Sequence, residues 1–166
     1  MSDSDKVITA QARSWAEEPF DRYTVEVSRT DIARYARSIR ETDPIYYDVD
    51  TARAAGHPDV VAPAYFPYTI RMQAANLIDR GELEADGSAS QDVPPLPTNR
   101  AMAGETKLEM GVPVHAGDTI ALDKRITDLY EKSGRSGALV FVTTEFVFSN
   151  QRGELVMKEE FTRIYR

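Results

Sequence analysis

The hydrophobic pattern of the chain changes its period near residue 100. Before that point, apolar residues recur at helical spacing in three segments, over about 29–40, 48–56 and 64–80. After it, four segments alternate with a period of two, which is the spacing of strands with one buried face, and residues 23–27 alternate in the same way. We therefore expect helices first and an antiparallel sheet last, which is an α+β fold.

The longest predicted helix, about Ala64–Arg80, carries apolar residues around most of its circumference, and Gly81 follows its end. A helix that is apolar on every side is usually buried, so we expect the sheet to cover it. Residues 1–20 show no comparable pattern, and we expect a loosely held N-terminal arm there.

A long connection separates the helical and the strand-forming halves. Residues 82–100 combine Gly, Ser and Ala with three prolines. A structureless stretch of this length within a compact domain is typical of a lid, a binding loop or an interface arm, and a disordered insertion is the alternative. The sequence contains no internal repeat, and its amino-acid composition does not change abruptly from one part to another. We therefore expect a single domain over residues 1–166.

Composition removes several classes of chemistry. The chain has no cysteine and only two histidines, His57 and His115, so we expect no disulfide, no thiolate chemistry and no metal centre. A formal net charge of −7 lacks the basic surface that binding to a nucleic-acid backbone requires. The sequence shows no signal-peptide pattern and no apolar run of about 18 residues, so we expect a cytoplasmic protein without a membrane span.

A set of short motifs follows a fixed order along the chain. The set comprises Arg40-Glu-Thr-Asp-Pro-Ile-Tyr-Tyr-Asp48, Ala52-Arg-Ala-Ala-Gly56, Val61-Ala-Pro63, Gly104-Glu105, Gly111-Val-Pro-Val114, Ala116-Gly-Asp118, Gly137 and Asn150-Gln-Arg-Gly153. In this order, over roughly residues 15–165, the chain resembles the MaoC-like hydratase/dehydratase family. Within that family it is most similar to the N-terminal fatty-acid-synthase-type dehydratase branch.

The resemblance implies a hotdog fold, in which a curved antiparallel sheet wraps around a long central helix. It also implies pairing of two hotdog units, either as a homodimer or with a MaoC-like partner subunit. The substrates it implies are acyl thioesters of coenzyme A or acyl-carrier protein, with no cofactor besides. The reaction of the family is the reversible addition of water across the C2=C3 bond of a 2-enoyl thioester.

The catalytic motif of the family is altered in this chain. Active members carry an aspartate and, five residues on, a histidine, in the form Asp-x-Asn-Pro-x-His, whereas Glu41 and Tyr46 stand at those positions here. A tyrosine, with a reference pKa of about 10, is a poor proton shuttle near neutrality. Glu41 places its carboxylate one methylene further out, and a misplacement of about 1 Å can cost ~10²-fold in rate. Neither His57 nor His115 lies within the motif, and we expect both in solvent-exposed loops.

The turn before the long helix holds the substrate-binding candidates Pro63, Ala64, Tyr65 and Phe66, in place of a His-Gly pair common in the family. Backbone N–H groups at a helix N-terminus suit the developing negative charge on a thioester oxygen. The aromatic residues there are either core residues or the wall of an acyl pocket. Arg100 is a candidate contact for the phosphates of coenzyme A, or an ordinary surface cation.

Three interpretations follow. The leading one is the non-catalytic, acyl-binding subunit of a heteromeric enoyl-CoA hydratase/dehydratase, with a partner that supplies the Asp/His pair. In related heteromeric systems the degenerate subunit accommodates long or bulky acyl groups, including steroid side chains. The second is a self-sufficient hydratase or thioesterase that uses Glu41, and the third is a non-enzymatic acyl-CoA-binding hotdog protein. The sequence leaves open the acyl chain, the physiological direction and the subunit composition.

Overall fold

The computed structural model describes residues 7–77, 94–97, 100–134 and 137–166. Helices precede the long strands, as the change of period predicts. The helices are α1 (Ala10–Glu17), α2 (Arg29–Ser38), α3 (Val49–Ala54) and α4 (Pro67–Leu77), with a 3₁₀ turn over Pro44–Tyr46, and the strands are β1 (Tyr23–Glu26), β2 (Ala101–Met110), β3 (Thr119–Gly134), β4 (Gly137–Ser149) and β5 (Leu155–Tyr165).

Within the described residues, five strands form one antiparallel sheet in the order β1-β3-β4-β5-β2. The short strand β1 forms one edge, and the ten-residue strand β2 forms the other. Strands β3, β4 and β5 follow one another along the chain and pair as antiparallel neighbours, which is the arrangement that the alternating segments predict. The α+β architecture is therefore confirmed.

The main hydrophobic core lies between the sheet and helices α2 and α4. Phe66 and Ile70 pack with Phe146 and Phe148 of β4, and Ile32 of α2 joins the same cluster. Burying a side chain of this size contributes about 1.5–3 kcal/mol to folding. The face of the sheet that carries this core is therefore the face on which a central helix lies.

Helix α4 differs from its prediction in two ways. It begins at Pro67 rather than near Ala64, because a proline disfavours helical geometry at the residue before it and fits the first helical position itself. It is also not buried on every side, since Tyr68 and Met72 are 36% and 44% exposed. The prediction of an all-round buried helix is wrong: those side chains are apolar, but the described chain provides no neighbour that covers them.

The N-terminal segment is more ordered than expected from its sequence. From residue 7 onward it lies on the sheet, with Ile8 and Ala12 buried against β4 and β5. The Glu131 carboxylate accepts hydrogen bonds from the backbone N–H groups of Val7 and Ile8 at 3.0 and 3.3 Å. The expectation of a loosely held arm is therefore wrong for residues 7–17.

Most of the predicted 82–100 connection, namely residues 82–93, 98 and 99, lies outside the described residues. None of the helices in the described ranges combines the length and the apolar character needed to cross a bilayer.

Candidate functional site

The loop between α2 and α3 carries both degenerate catalytic candidates. Arg40 adopts a left-handed backbone conformation with φ 62°, which turns the chain away from α2. The N–H of Glu41 then donates to the Ala36 carbonyl at 2.9 Å. Asp43 caps the following 3₁₀ turn by accepting a hydrogen bond from the Ile45 N–H at 3.1 Å. These two hydrogen bonds fix the conformation of the loop that carries Glu41 and Tyr46.

Tyr46 is half-buried against the main core, and its ring meets Tyr47 edge to face at 6.5 Å. Burial raises the pKa of Tyr46 above its usual value, and the negative charges of Glu41 and Asp43 raise it further. At neutral pH Tyr46 is therefore protonated, so that it can donate a hydrogen bond but cannot act as a base.

The Glu41 side chain is exposed, and within the described ranges it forms no ion pair or hydrogen bond. Its backbone is nevertheless fixed, because the Tyr47 hydroxyl donates to the Glu41 carbonyl oxygen at 2.6 Å. The structure thus brings Glu41 and Tyr46 into one loop with an available carboxylate and a protonated phenol.

The four substrate-binding candidates before α4 differ in their accessibility. Pro63 and Phe66 are buried, whereas Ala64 is exposed and Tyr65 is half-buried. The Phe66 N–H donates to the Pro63 carbonyl at 2.9 Å, but the N–H groups of Ala64 and Tyr65 have no acceptor among the described residues. Those two donors, at the positive end of the α4 dipole, suit an oxyanion.

A buried polar cluster beneath α4 is not predicted from the sequence. The Tyr65 hydroxyl donates to Glu159 Oε1 at 3.3 Å, and Arg71 Nη1 donates to the same oxygen at 2.9 Å. Burial and the neighbouring Glu159 charge raise the pKa of Tyr65 to about 12. The signal that could have found the cluster is positional, because Glu159 shares its strand face with Met157 and Phe161.

Aromatic rings enclose the Arg71 guanidinium. It lies over the Phe146 ring at 4.0 Å and the Phe161 ring at 4.7 Å, and cation–π attraction of this kind is strengthened by exclusion of water. Glu159 Oε2 is buried and has no hydrogen-bond partner among the described residues. The concave face of the sheet below α4 is therefore charged at its centre rather than uniformly apolar.

The two histidines meet each other instead of lying apart in solvent. His57 Nδ1 and His115 Nε2 are 3.1 Å apart, and the His115 side chain is only 14% exposed. Burial is the largest influence on His115 and lowers its pKa. The expectation of solvent-exposed loop histidines is wrong, because only the fold reveals that the two loops are adjacent. Within the described residues, no three His, Asp or Glu side chains are grouped to hold a metal ion.

The remaining candidate, Arg100, has an exposed side chain at the start of β2. Its carbonyl accepts a hydrogen bond from the Arg166 N–H at 3.0 Å, which holds the backbone of that edge in place. A phosphate-binding role for Arg100 stays a prediction.

Strand β2 exposes apolar side chains on the face of the sheet that carries α4. Every residue of β2 is exposed, and the outer edge of that strand has no partner strand among the described residues. Leu108 and Met110 are each 48% exposed and lie opposite Glu159 and Met157 of β5, on the face that carries α4. We refer to Leu108 and Met110 of β2, taken with the exposed Met72 of α4, as the β2–α4 surface.

Sequence comparison assigns most of the chain to one family model. A model described as FAS1-like, dehydratase domain region, matches residues 14–159. A UPF0336 protein from Streptomyces griseus is 31% identical over 132 residues, covering 80% of this chain and 79% of the relative. A UPF0336 protein from Thermobifida fusca is 30% identical over 132 residues, covering 80% and 78%.

Solved structures share the fold. The C-terminally truncated HadBC (3R)-hydroxyacyl-ACP dehydratase complex of Mycobacterium tuberculosis matches with a TM-score of 0.64 at 23% identity, over 86% of this chain and 92% of that one. The ChsH1-ChsH2 complex from the same species has a TM-score of 0.63 at 17% identity, over 90% and 96%. The R-hydratase PhaJ1 of Pseudomonas aeruginosa has a TM-score of 0.62 at 17% identity, over 91% and 84%.

Proposed function

This chain belongs to the FAS1-like dehydratase-region family and has the MaoC-like hotdog fold, and we propose that it is the acyl-binding, non-catalytic subunit of a heteromeric hydratase/dehydratase. The complex adds water reversibly to a 2-enoyl thioester of coenzyme A or acyl-carrier protein. The observation that carries this proposal is Tyr46, a half-buried, protonated phenol at the position where active relatives have a histidine.

Hydration requires a base that takes a proton from water and an acid that protonates C2. Tyr46 does not supply the base, and the two histidines of the chain hydrogen-bond each other. Glu41 is a carboxylate without a histidine beside it in the motif. A partner with an intact Asp/His pair therefore performs both proton transfers in the complex that we propose.

The contribution of this subunit is to bind the ligand. The N–H groups of Ala64 and Tyr65 polarise the thioester carbonyl, the Tyr65 ring lines the acyl path, and Arg100 is available to a phosphate of coenzyme A. None of these roles needs a metal or a resident cofactor. The compartment that we propose is the cytoplasm.

The β2–α4 surface is where we place the partner subunit. An open edge strand presents a row of unpaired backbone N–H and C=O groups, which another strand can satisfy. Leu108, Met110 and Met72 add apolar area that becomes buried when a second hotdog unit docks. HadBC and ChsH1-ChsH2 are both described as complexes, which supports a paired assembly for this chain.

The test is to purify the chain alone and together with a MaoC-like candidate partner that carries Asp-x-Asn-Pro-x-His. Hydration of crotonyl-CoA and of a longer 2-enoyl-CoA is then followed by loss of the enoyl absorbance. We expect no turnover from the isolated chain and turnover from the complex. We also expect the activity of the complex to survive Glu41→Gln in this chain and to be lost when the partner's motif histidine is replaced.

A self-sufficient hydratase is the second candidate, because the Glu41 charge acts directly on Tyr46 within one loop. Turnover by the isolated chain that Glu41→Gln abolishes would establish this candidate and overturn the proposed division of labour. Thioester binding without turnover, alone or with every partner tried, would instead favour a non-enzymatic binding protein.

A further inference from the structure

The two histidines join the segment that follows α3 to the turn between β2 and β3. His57 Nδ1 and His115 Nε2 are within hydrogen-bond distance at 3.1 Å, and the ring centroids are 5.2 Å apart. These are the only histidines in the chain. We refer to this contact as the histidine latch.

Two backbone hydrogen bonds run alongside the histidine latch. The Ala62 N–H donates to the Val114 carbonyl at 2.8 Å, and the Ala116 N–H donates to the Val60 carbonyl at 3.1 Å. The segment held in this way continues directly into Pro63, where the turn that leads into α4 begins. The latch therefore lies on the chain segment that positions the candidate thioester-binding turn.

Proton counting limits the states in which the latch is closed. A hydrogen bond between two ring nitrogens needs one N–H and one lone pair. When both rings are neutral, one of the two facing nitrogens donates to the other, and the second nitrogen of His115 faces Asp118 Oδ2 at 3.7 Å. One added proton, on either ring, still leaves an N–H facing a lone pair, so the hydrogen bond stays intact. A second added proton leaves an N–H on both facing nitrogens, with no acceptor between them and two positive rings in contact.

We propose that the histidine latch is an acid-operated switch on the turn before α4, closed while at most one of the two rings is charged and open when both are charged. Opening releases the segment 57–62 from the β2–β3 turn and thereby loosens Pro63 and the residues that follow it. The link to thioester binding rests on the proposed function, whereas the latch itself does not.

The charges that face the latch come from several elements. Asp118, in the same turn as His115, stabilises the imidazolium form of His115, while burial and the charge of His57 disfavour it. Asp59 favours and Arg152 disfavours the charged form. Burial is the largest of these influences, so the pKa of His115 lies below its ordinary value. In the open state Asp118 keeps His115 as its partner, and His57 turns to solvent.

The other charged side chains of this segment already have partners. Arg29 forms a two-pronged ion pair with Asp59 at 2.6 and 2.8 Å, and Arg53 Nε donates to the Pro58 carbonyl at 3.3 Å. These contacts do not involve the rings and persist when the latch opens. The region that loosens is therefore confined to the backbone between the histidines and Pro63.

Amide hydrogen exchange on the full chain tests the latch without any ligand. Between about pH 7 and about pH 4.5, we expect the protection factors of the Ala62 and Ala116 amides to fall about tenfold or more, after correction for intrinsic exchange. The Ile32 amide, which donates to Ser28 within the cap of α2, is the internal control and keeps its protection. Unchanged protection at Ala62 and Ala116, or an equal loss at Ile32, overturns the proposal.

Two matched variants each remove one ring. In His115→Gln the amide oxygen accepts from His57 at every pH, so the acid-dependent loss of protection disappears. In His57→Gln the amide turns its oxygen toward a protonated His115, so the loss disappears there as well. An acid-dependent loss that remains in either variant contradicts the proposal. Should His115→Gln fail to fold, ring titration of the wild type decides: two coupled steps more than about one pH unit apart support the latch, and two independent steps near about 6.5 overturn it.

Thioester binding is measured separately, so the two proposals can fail independently. Binding of crotonyl-CoA that weakens in acid for the wild type, but not for His115→Gln, ties the latch to the binding turn. Binding that persists while the Ala62 and Ala116 amides are unprotected overturns that link and leaves the latch itself intact. Absence of binding at every pH counts against the proposed function alone.

Discussion

Arg71 Nη1 donates to Glu159 Oε1 at 2.9 Å across the space between helix α4 and strand β5. The two side chains are 10% and 2% exposed, so the ion pair is almost completely shielded from solvent. A buried ion pair gains little over apolar residues of the same volume, yet the loss of one partner leaves a buried charge uncompensated. We expect the pair to specify where α4 lies on the sheet rather than to add net stability.

This expectation predicts an asymmetry between single and double substitutions. Glu159→Leu leaves the Arg71 guanidinium buried without its carboxylate, which should lower the free energy of unfolding by about 3–5 kcal/mol. The double variant Arg71→Met with Glu159→Leu removes both charges and should lose less than half of that. Urea unfolding followed by circular dichroism measures both values. A double variant that is as unstable as the single one would show that the pair contributes net stability.

Gly111 is a position where only glycine fits. A Cβ at this residue would overlap the carbonyl of Leu155, because the Gly111 N–H donates to the Val156 carbonyl at 2.9 Å and draws the two backbones together. Gly111→Ala should therefore cost at least about 2 kcal/mol of unfolding free energy, since backbone must move. Gly117→Asn is the matched control: nothing lies near its Cβ position, and asparagine tolerates a φ of 89° better than other residues. Equal losses in the two variants would contradict this explanation.

The β2–α4 surface predicts a change in assembly. Leu108→Lys combined with Met110→Lys places two charges on the apolar part of this surface and should abolish the pairing that we propose, leaving single chains. Light scattering coupled to gel filtration measures the mass. Thr162→Lys, on the opposite face of neighbouring strand β5, is the control that should leave the assembly unchanged. If the double variant keeps the mass of the wild-type assembly, the partner binds elsewhere.

The Arg29–Asp59 pair predicts a defined pH dependence. The guanidinium of Arg29 lowers the pKa of Asp59 from 3.8 to about 2. Because the carboxylate is held in its charged form by folding, its contribution is complete above about pH 4 and is lost as the pH falls through about 2. Arg29→Gln should therefore lower the thermal midpoint at pH 7 and have progressively less effect in acid. A difference from wild type that stays constant down to about pH 2 would rule out this pair as its origin.

Much of the architecture was predictable, because the spacing of apolar residues within a short segment indicates whether that segment forms a helix or a strand. The change from helical to alternating spacing near residue 100 gives the order of elements, and Ser28 with Asp31 gives the start of α2 through a capping box. The start of α4 was misplaced toward Ala64, since apolar spacing alone does not weigh the effect of Pro67 on the residue before it.

The candidate site was only partly predictable. Glu41 and Tyr46 lie in one loop because five positions of sequence separate them, and such proximity can be inferred from the chain itself. The Arg71–Glu159 and His57–His115 contacts join residues that are 88 and 58 positions apart, so no local pattern reports them. Each of these four residues is visible in the sequence, but nothing in the sequence indicates which other residue it contacts.

The sequence by itself determined the order of helices and strands, the family, the lack of cysteine and the presence of Tyr46 where the family resemblance leads us to expect a histidine. Tertiary structure alone decided that α4 leaves Met72 uncovered, that a charged pair lies beneath that helix and that the two histidines meet. The physical reason is the range of each interaction. Backbone preference and hydrophobic spacing act over a few neighbours, whereas burial and proton sharing depend on which distant segments folding brings together.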